Sequence, residues 1–231
     1  MSLNLLMLGP PGAGKGTQAE RFARTRGIPK ISTGDILRDA VHAGTDIGLR
    51  AKAIMDRGEL VNDEVMIGIV RERLERADTA DGFVLDGFPR TVAQATALDA
   101  IMAGRDSLIV LDIVVPEAEL VRRLGTRMIC DNCGANAPIG DGTALCVRCG
   151  GRLVQRADDD QAVVLERLKV YHVQSEPLVE YYRVRPTFRS IDGAQPPDRV
   201  AADLVAAIES AGAGAVTLAK AVGRPARGFQ P

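Results

Sequence analysis

The sequence predicts an α/β fold: a parallel five-stranded sheet flanked by helices and interrupted by a small, metal-knotted insertion. Three observations predict it. Short apolar runs alternate with helix-length segments along most of the 231 residues, the pattern of strand–helix–strand units with right-handed crossovers. A glycine-rich loop ending in lysine follows the first apolar run and opens the first helix. All four cysteines fall in two Cys-x-x-Cys pairs within a stretch that has no helical period.

Taken in order, residues 3–8 form an apolar run that fits a buried parallel strand. Residues 9–15 are loop, 16–26 helix, and 28–31 a second short strand. Ser32-Thr33-Gly34-Asp35 offers helix-capping chemistry before Ile36, and Thr45-Asp46 and Asn62-Asp63-Glu64 read as two further helix starts. A third strand, 83–86, is stopped by Gly87 and Pro89, and 91–102 is helical. Residues 108–115, the longest β-branched run, make the best central strand. Pro116 opens a helix to about 126, since proline is tolerated in a first helical turn. Residues 127–160 are rich in Gly, Cys, Asn and Asp and read as an inserted module. Helix returns over 161–182, bent at Pro177. A fifth strand spans 187–191 and a last helix 198–210. The Ala/Gly/Pro/Arg-rich tail, 211–231, reads as a frayed or disordered extension.

Composition narrows the function classes. Hydrophobic content of 46% and charged content of 26% are those of a soluble globular protein. Aromatics are 3% with no Trp, too few for a single-strand nucleic-acid stacking platform. A net charge of −1 gives no basic field for DNA or a membrane surface. No apolar stretch approaches a membrane span, and the N-terminus has no basic leader or cleavage pattern. The expectation is a cytoplasmic protein without nucleic-acid or membrane partners.

Gly9-Pro10-Pro11-Gly12-Ala13-Gly14-Lys15-Gly16-Thr17 carries the clearest chemistry. Its glycines let backbone N–H groups surround phosphate oxygens, the helix N-terminus adds partial positive charge, and Lys15 adds a full one. The general motif puts Ser or Thr directly after the lysine, where its hydroxyl binds Mg²⁺. Here that position is Gly16. The ion is therefore expected on nucleotide oxygens and water, with Asp86, at the end of the third strand, reaching it through water.

Phosphoryl transfer needs charge neutralisation and in-line placement more than covalent chemistry, and planar guanidinium forks suit that work. Arg38, Arg90, Arg123, Arg127, Arg156 and Arg167 all lie near loop or helix boundaries. Composition cannot select these six; their motif contexts do.

Gly-Pro-Pro-Gly-Ala-Gly-Lys-Gly-Thr-Gln (9–18), Ile-Ser-Thr-Gly-Asp (31–35), Asp-Gly-Phe-Pro-Arg-Thr (86–91) and Arg-Ala-Asp-Asp (156–159) resemble the adenylate kinase family in its long-lid, zinc-bearing form, over residues 3–208. The resemblance implies the P-loop nucleoside monophosphate kinase type of fold. It divides residues 1–210 into a core, an AMP-binding insertion at 32–61 and a lid at 126–160. It places ATP on Gly12, Ala13, Gly14, Lys15, Gly16 and Thr17, with Arg123 against the adenine, Arg127 on the phosphates and Gln195 lining the site through its main chain. It places AMP against Thr33, Arg38, Glu59, Leu60, Val61, Gly87, Phe88, Pro89, Arg90 and Gln94. Arg156 and Arg167 bridge toward the transferred group. Lys15, Arg90, Arg127, Arg156 and Arg167 are the implied catalytic set. Gln94 suits adenine chemically, because a primary amide both donates and accepts. The sequence departs from the family pattern at Met128, where a second hinge arginine is common, in its longer tail, and in a shorter spacing between cysteine pairs.

Cys130, Cys133, Cys146 and Cys149 supply four thiolates, enough for one tetrahedral Zn²⁺ with no open position, hence a structural ion. A lid this small buries little apolar area, so metal ligation supplies the missing stability. Disulfides are the alternative, disfavoured in a cytosolic chain. A zinc ribbon reading nucleic acid is another, but residues 134–145 contain no Lys, Arg or aromatic. His42 and His172 carry no catalytic assignment. The expected reaction is MgATP plus AMP giving two ADP, by a monomer. The rivals are a monophosphate kinase with another donor (GTP) or acceptor, a P-loop ATPase with a nucleic-acid reader, and a nucleotide-switch protein without turnover.

Overall fold

A computed structural model describes residues 2–137 and 145–222. The elements in chain order begin with β1 (Leu3–Leu8), α1 (Lys15–Arg26), β2 (Lys30–Ser32), α2 (Thr33–His42), α3 (Asp46–Asp56) and α4 (Asp63–Leu74). Then come β3 (Gly82–Asp86), α5 (Val92–Ile101), β4 (Leu108–Val114), α6 (Glu117–Gly125), β5 (Met128–Cys130) and β6 (Leu153–Gln155). The chain continues through α7 (Gln161–Val170), α8 (Pro177–Arg183), β7 (Phe188–Asp192) and α9 (Pro197–Val222).

Five strands form one parallel sheet in the order β2-β3-β1-β4-β7. β1 lies at its centre, with Leu6 level with Leu85 on one side and Val110 on the other. Each apolar run feeds two cores, because successive side chains point to opposite faces. Leu5, Met7, Val84, Ile109, Leu111 and Ile113 pack with α1, α6, α7 and α9. Leu6, Leu8, Phe83, Leu85, Leu108 and Val110 pack with α2, α4, α5 and α8. Burial on both faces is why these strands read as continuous apolar runs rather than alternating ones.

The predicted helix starts hold for local reasons. The side chains of Ser32, Thr45, Asn62 and Thr91 accept hydrogen bonds from backbone N–H groups in the first turns of α2, α3, α4 and α5.

Three features differ from the expectation. The helix expected over 161–182 breaks earlier than Pro177, into a π-helical turn at Tyr171–Ser175 where Glu176 N–H bonds the Tyr171 carbonyl. Pro177 has no N–H to continue the regular ladder, so the preceding turn widens. The last helix continues to Val222, past Ser210. Ala211, within the expected tail, is fully buried against the core, and no proline interrupts the chain before 225; residues 223–231 lie outside the described residues. The insertion is not wholly irregular, since β5 and β6 pair antiparallel across its base. Among the described residues, no helix is long and apolar enough to cross a membrane.

Candidate active site

The loop between β1 and α1 sits at the C-terminal edge of the central strand, where open α/β sheets place ligands. Gly9 and Gly14 have φ of 131° and 93°, conformations that disfavour any side chain, and a Cβ on Gly9 would lie 2.5 Å from the Ile113 carbonyl oxygen. Gly14 caps α1 without a side-chain hydrogen bond, so the first-turn N–H groups face outward for an anion. The Lys15 ammonium donates to the Gly9 and Pro10 carbonyls at 2.7 and 2.8 Å. Burial lowers its pKa to about 8; nearby Asp86 opposes the shift and Arg90, Arg167 and Arg127 add to it.

The arginines converge from distant segments. Arg127, two residues past the end of α6, forks onto the Asp159 carboxylate, its Nε 2.7 Å from Oδ2. Arg167, on α7, donates to the Asp158 carbonyl at 2.8 Å and to Asp159 Oδ1 at 3.1 Å. The Asp159 side chain is fully buried beneath these two cations. Burial and the neighbouring Arg127 and Arg38 bring Arg156 down to about 10, still cationic at neutral pH, and its buried Nε has no partner among the described residues. Arg90 lines the cleft, and burial, reinforced by neighbouring Arg167, lowers its pKa to about 10 as well. Its Nε donates to the Gly87 carbonyl at 2.8 Å. Arg123 spans Glu119 Oε1 at 2.7 Å and the Gly193 carbonyl at 2.9 Å.

On the far side, Thr33 Oγ1 donates to the Gly87 carbonyl at 2.7 Å. Arg38 pairs with Asp35. Burial works against the Asp35 carboxylate, but Lys30 and Arg38 outweigh it and hold its pKa well below the usual range. Gln94 is buried, its amide oxygen accepting from Arg90 N–H and its amide nitrogen donating to Asp63 Oδ1, both at 2.7 Å.

These groups line one cleft of about 1260 Å³ running from the phosphate loop to Gln94. It brings together Gly12 to Thr17, Thr33, Arg38, Glu59, Leu60, Val61, Asp86, Gly87, Pro89, Arg90, Gln94, Arg123, Arg127, Arg156, Arg167 and Gln195. Phe88 does not line it: the ring is 1% exposed and packs in the core beside Leu85. Gly16 has a structural counterpart, since a Cβ there would stand 3.2 Å from Asp86 Oδ2. The carboxylate occupies the room that a hydroxyl side chain would need.

Outside the cleft lining, Cys130, Cys133, Cys146 and Cys149 converge, with all four sulfurs within 4.8 Å of one another. Cys130–Cys149 and Cys133–Cys146 approach to 3.4 and 3.7 Å, far beyond the ~2 Å of a disulfide. A tetrahedral ion with Zn–S bonds of ~2.3 Å needs sulfurs ~3.8 Å apart, which this cluster fits. The N–H groups of Asn132 and Cys133 point at Cys130 Sγ, and that of Arg148 at Cys146 Sγ, all at 3.4 Å.

The family model for adenylate kinase matches residues 7–187. The chain is 50% identical over 214 residues to an adenylate kinase of Archaeoglobus fulgidus, covering 90% of this chain and 98% of that protein. The chain belongs to the adenylate kinase family. An adenylate kinase of Geobacillus sp. is 51% identical over 210 residues (87% of this chain, 96% of that one), and one of Methanosarcina barkeri 46% over 215 residues (90% and 99%).

Asp86 is the one carboxylate of this site that the sequence marks; four others are not marked by it. Asp158 and Asp35 line the cleft, while Asp159 and Asp63 stand behind its arginines and its glutamine. The Asp-Asp run at 158–159 belongs to the Arg-Ala-Asp-Asp motif, but nothing local marks one aspartate as the anchor of two arginines. Burial pushes the Asp158 carboxylate up, but Arg167, Arg156 and Arg127 together bring it below its ordinary range.

Proposed function

We propose that the chain transfers the γ-phosphoryl group of MgATP reversibly to AMP, giving two ADP. The observation that carries this is the single cleft in which Lys15, Arg90, Arg127, Arg156 and Arg167 surround the space between an anion-binding loop and a buried amide. Gly12 to Thr17 hold the ATP phosphates. Arg123 lies against the adenine beside the Gln195 main chain, and Arg127 pairs with the phosphates. Thr33, Arg38, the segment from Glu59 to Val61, the segment from Gly87 to Arg90, and Gln94 hold AMP. Phe88 acts from the core by shaping that segment.

No general base is required, because the attacking AMP oxygen is already anionic. The cations hold the two phosphates in line and neutralise charge as it spreads over the transferring group. Closure of the 126–160 lid and the 32–61 insertion excludes water, so transfer outruns hydrolysis. Mg²⁺ bound with ATP would supply further charge neutralisation, and Asp86, with no side chain at Gly16 in its way, is the carboxylate that would reach it through water. Zn²⁺ held by the four cysteines supplies lid stability rather than chemistry. We take the working form to be a cytoplasmic monomer acting on free nucleotides.

The test is ADP formation from MgATP with and without AMP, followed by a panel of donors and acceptors. ADP appearing at the same rate without AMP would make the protein an ATPase. A preference for GTP or another monophosphate would move it to a neighbouring kinase specificity.

A further inference from the structure

We propose that Asp63 is a positioning residue for acceptor-base choice: it locks the amide of Gln94 in the one orientation that reads adenine. The inference rests on the reading above that Gln94 faces the acceptor base.

The amide has two ends and both are engaged. Arg90 N–H can only donate, and it meets Gln94 Oε1 at 2.7 Å. The Asp63 carboxylate can only accept, and it meets Gln94 Nε2 at 2.7 Å. Asp63 is itself aimed by Thr91, whose hydroxyl donates to Oδ2 at 2.8 Å, and Thr91 also caps the helix that carries Gln94. Asp63 opens α4, next to its cap Asn62, so the lock joins two helices. Gln94 lines the cleft and Asp63 does not, so the amide is what carries the influence of Asp63 to the cleft surface.

Each end of the amide keeps one unused site, a lone pair on Oε1 and an N–H on Nε2. Along its Watson–Crick edge adenine offers an N6–H donor and an N1 acceptor, which match that pair. Hypoxanthine and guanine offer an O6 acceptor and an N1–H donor, the opposite order, which an amide flipped by 180° would match equally well. Glutamine alone therefore does not distinguish the two classes. Its orientation does. A flip in the native site would set N–H against the Arg90 N–H and oxygen against a carboxylate, losing both bonds at once.

The experiment measures kcat/KM, with KM and kcat separately, for AMP and for inosine monophosphate in the wild type and in Asp63→Ala, Asp63→Ser and Asp63→Asn, alongside melting temperatures. Serine is too short to reach the amide, and asparagine keeps an acceptor oxygen for it. The expected result is a drop in AMP-over-IMP preference on the order of tenfold in the Ala and Ser variants, through a raised KM for AMP, since one charge-assisted hydrogen bond no longer opposes the flip. The Asn variant should retain most of the preference. A preference unchanged in both the Ala and Ser variants, with only a lowered melting temperature or equal loss on both acceptors, overturns the proposal and leaves Asp63 as a tie between α4 and α5. A wild type that does not prefer AMP overturns the acceptor reading on which the proposal stands.

Discussion

Replacing Asp159 by alanine tests how the cleft tolerates its own positive charge. The carboxylate is fully buried and binds two guanidiniums, forking onto Arg127 and reaching Arg167 at 3.1 Å. Breaking a buried ion pair from one side costs roughly 3–5 kcal/mol. Arg127 and Arg167 are each about one-fifth exposed, so water recovers part of the loss, and we take the lower bound of about 3 kcal/mol. For a chain of this size each kcal/mol moves the melting temperature by roughly 2–4 °C, so the variant should melt roughly 6–12 °C lower. A second effect follows from the same geometry. ATP phosphates bring anions to the arginines that Asp159 no longer neutralises, so ATP should raise the variant's melting temperature by more than it raises the wild type's. The assay is thermal unfolding of both proteins with and without saturating ATP. A variant that melts within about 2 °C of the wild type, or gains no more from ATP, would refute the role of Asp159 as resident counterion.

Five further outcomes are expected. Lys15→Met should lower kcat by about 100- to 1000-fold with the fold intact, because a phosphate-facing charge is lost without a core cavity; circular dichroism and steady-state ADP formation check it. Arg90→Ala should raise KM for AMP tenfold or more while direct titration shows ATP affinity nearly unchanged, since a charged hydrogen-bond donor is lost on the acceptor side only. The Lys15 pKa of about 8 lies below its unfolded value of 10.5. The native state thus binds fewer protons than the unfolded chain between these values, and stability of the nucleotide-free protein should rise with pH across about 8 to 10.5. ATP binding at pH 9 should take up a proton, seen as a buffer-dependent binding enthalpy that Lys15→Met abolishes. Finally, protein purified without added zinc should carry one Zn²⁺ per chain. Chelation or Cys130→Ser should lower its melting temperature while ADP formation persists below that temperature; loss of all activity in folded protein with Mg²⁺ restored would mark the ion as catalytic.

What was legible in the sequence was local. The phosphate loop needs only consecutive residues, and each strand needs only a run long enough to bury both faces. The caps Ser32, Thr45, Asn62 and Thr91 lie within three residues of the N–H groups they bind. The four cysteines announced their cluster by spacing, although the pairs meet across the insertion. The resemblance, not periodicity, selected the arginines. What it left unread were contacts between segments far apart in sequence. Arg127 meets Asp159 across 32 positions because β5 and β6 pair antiparallel and bring the two ends of the insertion together. Asp63 meets Gln94 across 31 positions because α4 packs on α5. The widened turn at Tyr171–Ser175 was hidden for another reason: Pro177 announces a defect in the helix, but not which carbonyls will accommodate it.

The cleft's cations are held in two different ways, and the difference bears on how the site works. Lys15 and Arg90 bind main-chain carbonyls, of Gly9 and Pro10 and of Gly87. A neutral carbonyl satisfies a donor but leaves the charge uncompensated, so a phosphate oxygen competes for these groups with a clear electrostatic advantage. Arg127 and Arg167 instead share a buried carboxylate. Exchanging that partner would strand a negative charge out of water, so they should keep Asp159 and use their remaining N–H donors on the substrate. On the proposed reading, two of these cations are thus free to follow phosphate, while two are fixed beneath it. A transfer reaction needs both kinds. Fixed charges define where the migrating group must pass, and movable ones track the oxygens as charge leaves the donor and builds on the acceptor.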